Sequence, residues 1–177
     1  MKDNNNTGNK SEARNRIRRL CVAAAFSAMI CVATGFLPAV PVGTGYVHLG
    51  DAVIFVCAAL LPVGYAAPAA AIGASLADVF AGYAAYVPAT FVIKALTVLA
   101  FSHGKGKMIS RRNLAACAIA APICVGGYFL WEALVFSSLV APLASVIGNL
   151  IQSVGSSVLF FAFSFIADKT GLSHKLK

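Results

Sequence analysis

Residues 75–96 read SLADVFAGYAAYVPATFVIKAL, and nearly every side chain in them is apolar, small or aromatic. Asp78 and Lys94 are the exceptions. Were this stretch an ordinary soluble helix pair, two charges would pass unnoticed. In a chain of 177 residues that is 59% hydrophobic and only 11% charged, they stand out against their surroundings. A mean hydropathy of +0.82 and long charge-free runs are what membrane-spanning helices produce, because each must offer about 20 mostly apolar residues to the hydrocarbon. The stretch therefore reads as the end of one transmembrane helix, a short aromatic turn and the start of the next.

Working outward, residues 1–17 are polar and Asn-rich and lack a hydrophobic period, so a disordered cytoplasmic tail is expected there. A first helix is expected from about Arg18 to Leu37, stopped by the Pro/Gly-rich loop PAVPVGTGYVHLG. A second covers about Asp51 to Leu61. Pro62, Gly64 and Pro68 then predict a tight turn before a third helix that ends near Gly82. The fourth runs from about Pro88 to Phe101, the fifth from about Leu114 to Val135, and the sixth from about Leu143 to Ala167. The basic stretch RNRIRRL ahead of the first apolar run resembles the opening of a secretory signal, yet that run is long enough to span, and a retained helix is expected. The domain plan is thus a tail at 1–17, a six-helix membrane domain at 18–168 and a cytoplasmic tail at 169–177.

Charge gives an independent check on the count. With six helices, every Lys and Arg except Lys94 falls in the two tails or in the loop SHGKGKMISRRN between the fourth and fifth helices, all on one side. Positive residues collect in cytoplasmic loops, so the chain reads as an all-α membrane protein, a six-transmembrane-helix bundle with both termini cytoplasmic. The net charge of +8 is explained by this segregation; basic residues interleaved with aromatics on a soluble face, the mark of nucleic-acid binding, are not found. Cys21, Cys31, Cys57, Cys117 and Cys124 all lie in apolar runs without CxxC spacing, so neither a disulfide framework nor a metal site is indicated. His48, His103 and His174 show no HExxH spacing and no GxSxG elbow occurs, so an enzyme is not expected. No cofactor is expected either.

An ionised side chain deep in a membrane helix costs roughly 2.5–3.5 kcal/mol on insertion scales and normally faces a cavity or a partner. At about 1.5 Å per residue, Lys94, Asp78, Asp51, Glu132, Asn149 and Gln152 all fall in the external half. Helical spacing groups Tyr86, Thr90 and Lys94 on one stripe, Tyr128 and Glu132 with adjoining Trp131 on a second, and Asn149, Gln152, Ser153 and Ser156 on a third. Three such stripes at one depth predict a water-accessible pocket open to the outside. The plainer alternative makes Asp78 and Lys94 a structural ion pair and Asn149 and Gln152 interhelical glue, with Tyr46, Tyr83 and Tyr128 belonging to an interfacial aromatic belt. Small residues make a separate pattern: Ala24 with Ala28, or Ala23 with Ser27, form a flat strip on the first helix, suited to internal contact or to an external partner helix.

The ordered set YVHLGDAVIF, a Pro/Gly/Ala-rich helical turn, and GASLADVFAGYAAYVPATFVIKAL resembles the S components, the substrate-binding subunits of energy-coupling factor (ECF) vitamin transporters, in the branch of hydroxymethylpyrimidine and pyridoxine type. The resemblance covers about Leu20 to Ala167. It implies a vitamin pocket near the outer face under the Pro38–Leu49 loop, with His48, Asp51, Asp78, Tyr86, Thr90, Lys94, Trp131, Glu132, Asn149 and Gln152 as substrate-binding candidates. It also implies docking of Ala24 and Ala28 on a membrane coupling subunit driven by two ATPase subunits, in a bacterial cytoplasmic membrane. The sequence has no GxxxxGK[ST] phosphate loop, so energy must come from such partners. The competing reading is a self-sufficient proton-coupled secondary transporter with Asp78 or Glu132 as proton carrier.

Overall fold

The computed structural model describes residues 3–37, 40–42, 45–101, 103, 107–137 and 140–171. They form six helices: α1 (Asp3–Gly35), α2 (Gly50–Leu60), α3 (Val63–Phe80), α4 (Val87–Leu99), α5 (Arg111–Phe136) and α6 (Val140–Lys169). A hairpin, β1 (Val40–Val42) and β2 (Gly45–Val47), joins α1 to α2, with Pro41 opposite Tyr46 in an antiparallel register. The Pro/Gly content here predicts only a loop; β-branched valines on both sides of the turn make the extended pair favourable. The chain is an all-α membrane protein apart from that hairpin.

Three boundaries differ from expectation. Helix α1 begins at Asp3, so the helical backbone runs through most of the segment expected to be a disordered tail; once α1 is nucleated in its apolar part, each further residue adds a hydrogen bond at little cost. Pro68 lies inside α3, not in a turn before it: Pro62 takes the N-cap position, and Pro68 falls in the second turn of the helix, where it removes the one amide that would have bonded the Gly64 carbonyl. Helix α6 reaches Lys169. Residues 172–177 of the expected C-terminal tail, and Lys2 and Lys105 among the basic residues, lie outside the described residues.

Helices α1, α3, α5 and α6 are long and apolar enough to cross a membrane. Their outward faces carry Met29, Val32, Ile72, Leu76, Leu130, Leu134, Val158 and Ile166, all exposed, an arrangement suited to lipid and untenable in water. Small residues decide the tightest crossing. A Cβ on Gly73 of α3 would collide with the Ser27 carbonyl of α1, and one on Gly35 would come within 3.3 Å of Ala77, so the two helices meet backbone to backbone over several turns. Of the two small-residue strips on α1, Ala23 and Ser27 face inward, whereas Ala24 and Ala28 are exposed.

The short helices matter most for function. Helices α2 and α4 have 11 and 13 residues, or about 17 Å and about 20 Å of rise. They leave membrane depth that helical backbone does not fill. Beneath that depth lies a dry plug: Phe55 of α2 stacks on Phe101 at 4.9 Å, and Phe160 of α6 meets both rings edge-on at 6.1 and 5.7 Å. At the far end Asp168 accepts hydrogen bonds from the Met108 and Ile109 amides at 2.9 and 3.0 Å, and Ser110 caps α5 by accepting from the Asn113 amide. The start of α5 is thereby tied to the end of α6.

Candidate functional site

A cavity of about 320 Å³ occupies the depth left by the short helices. Its walls come from the C-terminal parts of α1, α3 and α5 (Thr34, Asp78, Tyr128) and the N-terminal parts of α2, α4 and α6 (Asp51, Thr90, Asn149). Successive helices therefore alternate in direction, and the cavity sits at the end of the bundle opposite the basic starts of α1 and α5.

Nine of the ten binding candidates expected from the sequence line this one cavity: His48, Asp51, Asp78, Tyr86, Thr90, Lys94, Glu132, Asn149 and Gln152. Trp131 does not. Its indole N–H donates to the Ala85 carbonyl at 3.2 Å, and its ring packs on the Ala89, Ile93 and Cys124 cluster, so it braces the turn at Ala84–Tyr86. Thr34, Tyr83, Ser145 and Gly148 also line the cavity and were not anticipated. Thr34 and Ser145 are single small hydroxyls without a stripe around them, which leaves no periodic signal. Tyr83 and Tyr128 are equally suited by sequence to an aromatic belt, and only the tertiary arrangement turns them inward.

The floor is an ion pair, and its partners correct the sequence reading. Lys94 pairs with Asp51, at 2.7 Å to Oδ1 and 2.9 Å to Oδ2, and not with Asp78. Both side chains are withdrawn from solvent, with relative exposures of 7% and 4%. Helix α4 turns Lys94 toward the first turn of α2, where Asp51 also benefits from the free amides of the helix start. The ammonium lies 5.5 Å from the Tyr128 ring centroid and 3.9 Å from Cys124 Sγ, so three neighbours compensate its burial.

Glu132 is held from two sides. Tyr86 donates to Oε1 at 3.4 Å and Ser145 to Oε2 at 2.6 Å. The Tyr86 ring in turn meets Tyr83 at 6.1 Å and Tyr128 at 6.5 Å, giving a partly aromatic wall. Thr90 is hydrogen-bonded to Tyr128 at 3.1 Å, and both line the cavity together with Asp78.

Gln152 has an unexpected employment. Its Oε1 accepts from the His48 amide at 2.8 Å while its Nε2 donates to the His48 carbonyl at 3.1 Å and to Ser156 at 3.2 Å. It reads the backbone where the hairpin joins α2 and fixes that junction to α6. His48 Nδ1 accepts from the Gly50 amide at 3.1 Å. Burial holds the His48 ring below the ordinary histidine value, with Asp51 opposing and Lys94 reinforcing the shift, so the ring is neutral in the folded protein. On the same stripe of α6, Ser153 and Ser157 return their hydroxyls to the carbonyls of Asn149 and Ser153 at 2.9 and 2.8 Å. Ser153 and Ser156 are not on the cavity wall.

A sequence model of the family described as ECF-type riboflavin transporter, S component, matches residues 14–167. That span takes in α2 to α5 and most of α1 and α6, though the match does not single out the hydroxymethylpyrimidine and pyridoxine branch. No curated protein and no solved structure matches the chain.

Proposed function

Because this chain belongs to the family of ECF-type riboflavin transporter S components, we propose that its cavity captures one small water-soluble vitamin or vitamin precursor from outside the cell. It is a substrate-binding subunit, not an enzyme. Pyridoxine or hydroxymethylpyrimidine is the favoured ligand, with riboflavin, named in the family's description, as the competitor. The observation that carries the reading is the convergence of polar side chains from all six helices on a single cavity of about 320 Å³, within the range of small-molecule sites. Aromatic walls suit a heteroaromatic ring, and the hydroxyl, amide and carboxylate groups suit its substituents.

Delivery inward needs partners. The aromatic plug of Phe55, Phe101 and Phe160 closes the bundle beneath the cavity, which favours movement of the whole subunit over passage through it. We assign the drive for that movement to a membrane coupling subunit and two ATPase subunits, with exposed Ala24 and Ala28 as the docking strip and the bacterial cytoplasmic membrane as the setting. Of the 38–49 segment expected to cover the pocket, 38, 39, 43 and 44 lie outside the described residues; in this reading the hairpin strands and the 45–49 stretch serve as the cover, latched through His48 and Gln152. Isothermal calorimetry on purified protein with pyridoxine, hydroxymethylpyrimidine and riboflavin tests this reading. Saturable binding of one of them is expected, and heat from none of the three refutes it.

A further inference from the structure

The charges facing the cavity do not balance. Three carboxylates, Asp51, Asp78 and Glu132, line it, and among the described lining residues Lys94 is the one Lys or Arg. Lys94 is already committed to Asp51 at 2.7 Å. Glu132 has a hydroxyl on each oxygen. Two carboxylate oxygens are shielded from solvent without a hydrogen-bond partner among the described residues, Asp51 Oδ1 and Asp78 Oδ2; Asp51 Oδ1 has the Lys94 ammonium at 2.7 Å, whereas Asp78 has no ion pair among the described residues.

The neighbouring hydroxyls sharpen this. Thr90 and Tyr128, both on the cavity wall, are hydrogen-bonded to each other at 3.1 Å, so one of their two hydroxyl protons is spent between them. Thr34 Oγ1, also on the cavity wall, likewise has no partner among the described residues. A buried acceptor without a donor costs free energy that a ligand can recover. Tyr83 and Tyr86 line the same cavity, and aromatic rings beside a ligand favour a cation.

We propose that the ligand bears a protonated amine on or beside its aromatic ring, and that this group docks on Asp78 Oδ2. The inference rests on the vitamin-receptor reading above and revises its choice of ligand, placing an amine-bearing relative ahead of pyridoxine. It also predicts rejection of phosphate esters, because a dianion would face the uncompensated carboxylates with no free cation to receive it.

The test is a binding panel in lipid nanodiscs: pyridoxamine, pyridoxine, pyridoxamine 5′-phosphate and riboflavin, measured on the wild type and on Asp78→Asn. Pyridoxamine is expected to bind about tenfold tighter than pyridoxine, and the phosphate ester about a hundredfold weaker than pyridoxamine. Asp78→Asn should erase the amine preference, bringing the ratio of pyridoxamine to pyridoxine affinity from about tenfold to about one. The wild-type rank order needs no variant, so it decides the matter even if Asp78→Asn fails to fold. Pyridoxine or riboflavin binding as tightly as pyridoxamine overturns the amine assignment and leaves the receptor reading standing. No binding by any of the four, nor by hydroxymethylpyrimidine run beside them, refutes the receptor reading, and the amine assignment with it.

Discussion

Lys94 and Asp51 show how one contact can serve both stability and the site. Their pair spans α2 and α4 and closes the floor of the cavity, so either side chain alone becomes an unpaired buried charge. Lys94→Met or Asp51→Asn is expected to destabilise the protein by about 3–5 kcal/mol, and the double replacement Asp51→Leu with Lys94→Met to recover most of the loss. Thermal unfolding in detergent checks both, and wild-type midpoints in the single variants would contradict the pairing. His48 carries a pH signature. Its pKa lies below the ordinary 6.5 because the ring is buried, so the unfolded chain takes up a proton first as pH falls. Stability is therefore complete above pH 6.5 and declines below it, through the window between 6.5 and the lower folded value. Protonation at Nδ1 also removes the acceptor used by the Gly50 amide. His48→Gln should flatten the unfolding midpoint across that window; an unchanged slope would assign the pH dependence to another group.

Helices α1 and α3 meet through glycine, and the consequence is a graded prediction. A methyl on Gly73 strikes the Ser27 carbonyl, which is backbone and cannot step aside, whereas one on Gly127 meets the Ile93 Cγ1 and Cδ1 atoms at 2.7 and 2.8 Å, the far end of a movable side chain. Gly73→Ala should cost about 1–3 kcal/mol and Gly127→Ala distinctly less, read as separate shifts in the thermal midpoint. Equal shifts would mean that the α1–α3 crossing relaxes more freely than its geometry allows. The turn at Pro62, Gly64 and Pro68 was misread by sequence because proline signals a break wherever it falls. What decides is position: Pro62 is the N-cap of α3 and Pro68 falls in its second turn.

Across the whole molecule, binding and transport separate. The cavity lies at one end, the aromatic plug seals its base, and the exposed Ala24 and Ala28 lie on an outer face of α1. Liposomes containing this chain alone should bind substrate without accumulating it; accumulation driven by a proton gradient would support the self-sufficient carrier instead. Leucine at Ala24 or Ala28 should depress uptake in cells carrying the coupling module and leave binding by purified protein within about threefold. Loss of binding as well would remove the case for a docking strip.

Hydropathy and charge placement, both properties of the chain in order, were enough to give six helices, their membrane setting and the depth of the polar groups, because lipid forces every backbone amide into local hydrogen bonds and leaves few architectures to choose from. The stripe spacing located most of the cavity wall for the same reason. Partnership was another matter. Whether Lys94 meets Asp51 or Asp78, whether Gln152 faces a ligand or holds the His48 backbone, and whether Trp131 lines the cavity or braces a turn all depend on how helices rotate and cross. Those angles are set by contacts such as Gly73 on Ser27, between residues far apart in the chain, and no local pattern records them.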